Sequence, residues 1–223
     1  YYETAKDIAL KTLTIQEEVH GKSHFETSQT LNNLANIEIE LSLFNEAVDR
    51  HERVAKIRRK LHGEMSVEYA QSLNNLARAK EGMASYDEAL EGYQQSINIY
   101  QEVLGDYCAD ILKPISNCGL LLSVLGRMEE GRNYQKHALA VAERLFPEDH
   151  PEIARLLINL AFTETDFDDR KAYIIRANRI CTAKLGAHPY TSASLNFLAS
   201  IYDEEDDVDA AFTEILNQGE GEE

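Results

Sequence analysis

Leu31-Asn32-Asn33-Leu34-Ala35 returns 42 residues later as Leu73-Asn74-Asn75-Leu76-Ala77. The same beat continues in Ile115-Ser116-Asn117-Cys118-Gly119 and Leu157-Ile158-Asn159-Leu160-Ala161, and a fifth copy, Leu195-Asn196-Phe197-Leu198-Ala199, follows after 38. Two further markers keep the phase. Gly21, Gly63 and Gly105, then Pro147, mark one turn, and Asn45-Glu46-Ala47, Asp87-Glu88-Ala89 and Glu129-Glu130-Gly131 mark another, with Glu3-Thr4-Ala5 one period earlier. A fixed period of this length restricts the chain to stacked copies of one small unit.

Inside each period the apolar residues recur at three and four, as in Val67, Ala70, Leu73, Leu76 and Ala77, then Tyr86, Ala89, Leu90, Tyr93, Ile97, Tyr100 and Leu104. That spacing makes one stripe on a helix. Each unit therefore reads as two antiparallel helices, with glycine at 21, 63 and 105 suited to a left-handed residue past a helix end. Neither helix buries its stripe alone, so successive pairs must stack. The expected class is an all-α solenoid, a superhelix of stacked antiparallel helix pairs. Helices are expected at 2–20, 25–41, 45–62, 67–83, 87–104, 109–126, 129–146, 150–164, 168–185, 189–202 and 208–217. One solenoid over 1–217 is expected, in units 1–21 (partial), 22–63, 64–105, 106–147, 148–186 and 187–217, with 218–223 an acidic disordered tail. The first helix reads as the second of a pair, which suggests that more chain precedes it, or that the sequence is a fragment.

Charge narrows the function. The 223 residues carry 39 acidic and 22 basic side chains, net −17. Ten of the acidic residues, and no Lys or Arg, lie between Tyr202 and Glu223. An acidic surface argues against nucleic acid, whose affinity comes from Lys and Arg displacing counterions. There is no run of about 18 apolar residues to span a membrane. The N-terminal residues lack the basic and apolar regions of a secretory leader. Cys108, Cys118 and Cys181 are odd in number and widely spaced, which fits a reducing, cytoplasmic setting better than a disulfide framework. No phosphate loop or dinucleotide fingerprint is present.

The residues Leu73, Leu76 and Ala77 on one helix, with Ala89, Tyr93 and Ser96 on the next, resemble the small and large positions of the tetratricopeptide repeat. That family's usual unit is about 34 residues. The 42-residue spacing, with Leu-Asn-Asn-Leu-Ala and the ending Glu102-Val103-Leu104-Gly105, resembles its kinesin-light-chain-like subgroup. The fifth unit departs by losing residues in its inter-helix turn, and the heptad coiled coil of kinesin light chains is not in this sequence. The resemblance implies a right-handed superhelix, a non-catalytic interaction scaffold, no cofactor, and a concave groove lined by first helices.

By register, the groove positions are Gln29, Asn32, Asn33 and Asn36, then Gln71, Asn74, Asn75 and Arg78, then Lys113, Ser116 and Asn117, then Arg155, Ile158 and Asn159, then Asn196 and Ser200. A column of amides at 33, 75, 117 and 159 offers donor and acceptor together, as an extended peptide backbone requires. Arg78, Lys113 and Arg155 would draw acidic side chains or a C-terminal carboxylate. Asn36, Asn75 and Lys113 also fall at positions resembling the carboxylate clamp of chaperone-binding relatives. Asn32 and Asn117 stand where that clamp uses basic residues.

Two readings of the amide column remain, alone or together: contact with a protein or peptide partner, and bonding to the adjacent repeat's backbone to fix the stacking. At the level of the whole chain, a structural or regulatory module of a larger protein, including self-association, is the alternative to the groove scaffold. His20 and His24 lie four apart but have no further ligands at useful spacing for a metal. Asp149-His150-Pro151 and Ala187-His188-Pro189 read as helix-entry turns, and Cys118 as a core thiol. Arg50, His51, Arg53, Lys56, Arg58, Arg59 and Lys60 read as a basic outer face, solvated by default or docking an acidic partner such as the acidic tail.

Overall fold

A computed structural model describes residues 1–204. The described residues form ten α-helices and no strand: α1 Tyr2–His20, α2 Phe25–Glu40, α3 Phe44–His62, α4 Val67–Gly82, α5 Tyr86–Leu104, α6 Leu112–Val124, α7 Met128–Leu145, α8 Pro151–Thr163, α9 Phe167–Leu185 and α10 Pro189–Glu204. The expected helix at 208–217 and the acidic tail lie outside the described residues. The chain divides into two compact units, Tyr1–Leu121 and Leu122–Glu223. In the first, α1 to α5 pack each against the next in order, and in the second α7 to α10 do the same.

The core is the sum of these neighbour contacts. Leu13 of α1, Leu31 and Leu34 of α2, and Val54 and Ile57 of α3 form one buried cluster. Ala35, Ile39, Ala47 and Ala79 form another, with Phe44 and Val48 against it. In the second unit Ile153, Leu156, Leu157 and Leu160 of α8 are fully buried, as is Ile174 of α9. The repeated Leu and Ala positions thus fill the spaces between helices, and Cys118 is a buried thiol among them.

Helix starts follow the same phase. The side chains of His24, Ser66 and His150 accept the backbone N–H of Glu26, Tyr69 and Glu152, capping α2, α4 and α8. Pro151 occupies the first turn of α8, where a missing N–H costs nothing. Cys108 stands at the same phase, but there the expected helix 109–126 is broken into a 3₁₀ turn, Ala109–Ile111, followed by α6. Pro114 explains the break, because it has no N–H for the carbonyl four residues earlier and its ring crowds that carbonyl.

The turns correct one expectation. Gly21, Gly63 and Gly105 have φ near +90° with ψ between 164° and 173°, an extended conformation open in practice only to glycine, and not the left-handed helical one. The chain leaves the second helix stretched, and the carbonyls of Gly21 and Gly63 accept hydroxyls of Thr27 and Ser66 at the start of the next helix. The left-handed residues sit at the other turn, also in phase: Ser42 (φ 59°), Ala84 (φ 60°) and Gly126 (φ 80°). At each, the following N–H reaches back to a carbonyl five residues earlier, Leu43 to Glu38, Ser85 to Lys80 and Arg127 to Leu122.

The next such turn is built differently, where the period shortens. Helix α8 is 13 residues against 16 in α2 and α4, so the loss falls on the last turn of the helix itself. Its turn instead rests on Glu164, whose Oε1 accepts the N–H of Thr165 (2.9 Å) and Asp166 (3.4 Å) and lies 3.3 Å from Arg132 Nε. Asp166 then caps α9. Burial alone would raise the Glu164 pKa, but the two N–H groups and the cations Arg132 and Lys136 hold it below the usual carboxylate range.

Ala84 pays for a left-handed conformation that Gly126 adopts freely. Ala84→Gly should raise the unfolding free energy by about 1 kcal/mol, and Gly126→Ala should lower it by about as much. Urea denaturation of the two variants beside the parent checks both signs.

Candidate functional site

The first helices of the first unit carry a chain of amides that crosses from repeat to repeat. Asn75 Nδ2 donates to Asn32 Oδ1 (2.9 Å), Asn74 Nδ2 donates to Asn75 Oδ1 (3.1 Å), and Asn117 Nδ2 donates to Asn74 Oδ1 (3.2 Å). The repeated doublet Asn-Asn explains the geometry. The second Asn of one unit faces the first Asn of the preceding unit, 43 residues back. Asn74 is buried while Asn32, Asn75 and Asn117 are half-buried. The bonds run to side chains of the neighbouring repeat, not to its backbone.

The remaining candidates divide by exposure and partner. Asn33, Gln29 and Lys113 are exposed, and Asn36 is half-buried. Gln71 is exposed, but its side-chain oxygen accepts Arg58 Nη1 at 2.9 Å. Arg78 pairs with Glu40 of the preceding repeat at 2.8 Å. In the second unit, Arg155 pairs with Glu152 one turn earlier on α8 at 2.6 Å. Asn159 is half-buried on α8 and Asn196 is exposed on α10. Among the three groove cations, Lys113 alone has no ion pair with a described residue. Of the five positions resembling a clamp, Asn32, Asn75 and Asn117 are tied into the amide chain.

The basic helix is where sequence reasoning went furthest astray. His51 and Arg58 are buried inside the stack, not on an outer face. Arg58 donates to the Glu68 carbonyl, Gln71 and Ser72, so it bridges α3 to α4. Arg50 pairs with the buried carboxylate of Glu38 at 3.1 Å, Arg53 pairs with Glu17 of α1, and Arg59 with Glu64. Only Lys56 and Lys60 remain exposed without a described ion pair. The signal was available in the register, since 51 falls in phase with Tyr93, a core position, and Glu38 lies in phase with Lys80 at the end of a first helix. His20 stacks on His24, with ring centroids 4.7 Å apart, and no cluster of His, Cys, Asp and Glu among the described residues has the makings of a metal site.

Burial dominates the charge state of His51. Desolvation, with Arg58 and Arg78 nearby, pulls its pKa from 6.5 down to about 4. The unfolded chain therefore binds more protons than the folded one between these values, so this residue's contribution to stability falls as pH drops through that window. Glu38 acts in the opposite sense, because burial raises its pKa against the pull of Arg50, and its contribution is lost as pH rises. A difference measurement isolates the histidine. Taking the parent from pH 7 to pH 5 should cost about 2 kcal/mol more than taking His51→Leu over the same range, read from urea midpoints. Separately, Asn75→Ala breaks two amide bonds and should lower stability by about 1–2 kcal/mol with the fold retained.

Tetratricopeptide repeat models match residues 2–60 and 26–102, and a second model of the same repeat matches 115–152. No curated protein matches the chain in sequence. Among solved structures, BtubC (BKLC) from P. vanneervenii superimposes with a TM-score of 0.82 at 16% identity, over 98% of this chain and 90% of that one. A Podosopora anserina kinesin light chain protein of nearly identical TPR-like repeats gives 0.68 at 21% identity, over 85% and 92%. A Rap protein complexed with Competence and Sporulation Factor gives 0.73 at 17% identity, over 95% of this chain and 57% of that one. The matched models cover most of the repeated sequence and the neighbours share its helical fold: the chain belongs to the tetratricopeptide repeat family, whose kinesin-light-chain-like subgroup it resembles in its 42-residue unit.

Proposed function

We propose that this protein is a non-catalytic interaction scaffold that holds an extended peptide or helix of a partner protein on the exposed face of its first helices. The observation that carries the reading is the polar surface left beside the amide chain. Asn33 and Lys113 are exposed and bonded to no described residue, while Asn32, Asn75 and Asn117 retain hydrogen-bonding capacity beyond the bonds they make to one another. An amide row pre-fixed by its neighbours loses little entropy on binding. Lys113 gives the face a cation, so a carboxylate, from an acidic side chain or a chain end, is the favoured partner group. In the sequence, Asn159 on α8 and Asn196 on α10 fall at repeat positions that match the amides of the first unit.

Other features support the reading without reaching the partner. Interaction through a groove is the usual work of this repeat family, and one neighbour of the same fold is solved with Competence and Sporulation Factor bound. The acidic composition disfavours nucleic acid, and no helix among the described residues is long and apolar enough to cross a membrane. Cys108, Cys118 and Cys181 form no disulfide, and we place the protein in the cytoplasm as part of the same proposal.

Selection of peptides from a random library, followed by fluorescence anisotropy on the enriched sequences, tests the proposal. The enriched peptides should carry carboxylates, and Asn33→Ala and Lys113→Ala should each weaken binding about tenfold, at unchanged melting temperature. Binding indifferent to both substitutions would overturn it.

A further inference from the structure

One position on the second helices holds a large side chain on α3, α7 and α9 but not on α5. It is Arg50 on α3, Tyr134 on α7 and, counted from the helix start across the shortened period, Tyr173 on α9, all half-buried. On α5 it is Gly92. Glycine is a poor residue for the middle of a helix, so its presence there asks for a reason. Close packing does not supply one. A Cβ at Gly92 would meet Ala77 Cβ at 3.0 Å, yet the preceding unit combines Arg50 with an alanine, Ala35, at the equivalent place.

The missing side chain leaves a cavity of about 220 Å³ between α4 and α5, lined by Leu73, Leu76 and Ala77 from the first and by Glu88 and Glu91 beside Gly92 on the second. That is room for one long side chain, and less than the ~300 Å³ at which small-molecule sites begin. In the preceding unit the chain's own Arg50 reaches across to Glu38 of α2 at 3.1 Å. Here the charges are exchanged. Lys80 stands in the place of Glu38 and pairs with Glu88 at 2.5 Å, which leaves the Glu88 side chain 63% exposed. Glu91, one turn further on, accepts the Gln95 amide at 3.0 Å and has no ion pair with a described residue. Helix α5 carries Asp87, Glu88, Glu91 and Glu102 and no Lys or Arg.

We propose that this slot receives an arginine side chain of a partner protein, its methylene stem on Leu73, Leu76 and Ala77 and its guanidinium at Glu91, with Glu88 one turn away. The guest takes the place that Arg50 fills from within one unit earlier. Arginine suits both parts of the slot, because its stem lies along apolar surface and its planar fork matches a carboxylate. The slot shares no residue with the amide row and selects the opposite charge, so it serves a second, basic segment.

Heteronuclear NMR titration of the full chain with a blocked pentapeptide, one arginine flanked by alanines, tests this. The shifts should centre on Gly92 and Ala77 and saturate. A peptide with citrulline for arginine keeps the shape without the charge, and should bind about tenfold more weakly. Glu91→Gln should weaken the arginine peptide by about as much at an unchanged melting temperature. Gly92→Arg should fill the slot from within and abolish binding. If that variant does not fold, Glu91→Gln and the citrulline peptide decide the matter. No saturable shift at millimolar peptide, shifts centred away from Gly92, or binding that survives in folded Gly92→Arg overturns the proposal. So does equal binding of the citrulline peptide or of one with norleucine, which would make the slot apolar without selection for charge.

Discussion

Each helix in this stack must bury two faces, and each can do so only against a neighbour. That requirement sets the period. Residues at the Leu31 and Leu73 positions close one side of a first helix against its own partner, while those at Ser72 and Ser194 close the other side against the helix before. Because every contact is between neighbours, a change in one unit is felt mainly at its two boundaries. The shortening at α8 shows this. Losing the last helical turn removes the left-handed residue seen at 42, 84 and 126, and the buried carboxylate of Glu164 supplies the hydrogen bonds that the lost turn would have made.

Polar groups do more inside this stack than an apolar count suggests. Arg58 reaches three acceptors on α4, Glu38 is neutralised by Arg50, and Asn74 is bonded within an amide chain. Burying such groups without partners would cost more than the hydrophobic contacts around them return. Paired, they fix which unit sits against which, since an amide chain with a 43-residue offset is satisfied only in one register. The same amides that secure the stacking also leave a polar face at its surface. Stacking by these residues therefore leaves room for the binding proposed for them.

Much of this was legible in the sequence. Three markers in phase gave the helix pairs, and the helix boundaries fall within a few residues of expectation because each turn is repeated. Pro114 was the local exception, breaking one helix start into a 3₁₀ turn. The direction of side chains was harder to read. Run together, Arg50 to Lys60 look like a charged surface, but a helix turns 100° per residue, so His51 and Arg58 point inward while Lys56 and Lys60 point out. The amide column was visible as a column. That it bonds one residue out of register, side chain to side chain, depends on the offset between neighbouring helices, which no single unit's sequence contains.

A crystal structure of the protein with a selected carboxylate peptide would test the central claim most directly. The account predicts the peptide lying across α2, α4 and α6, its backbone within hydrogen-bond distance of Asn33 and its carboxylate at Lys113, with the Asn75–Asn32 and Asn117–Asn74 bonds retained. A peptide seated away from the first helices, or one that displaces the amide chain to bind, would contradict it.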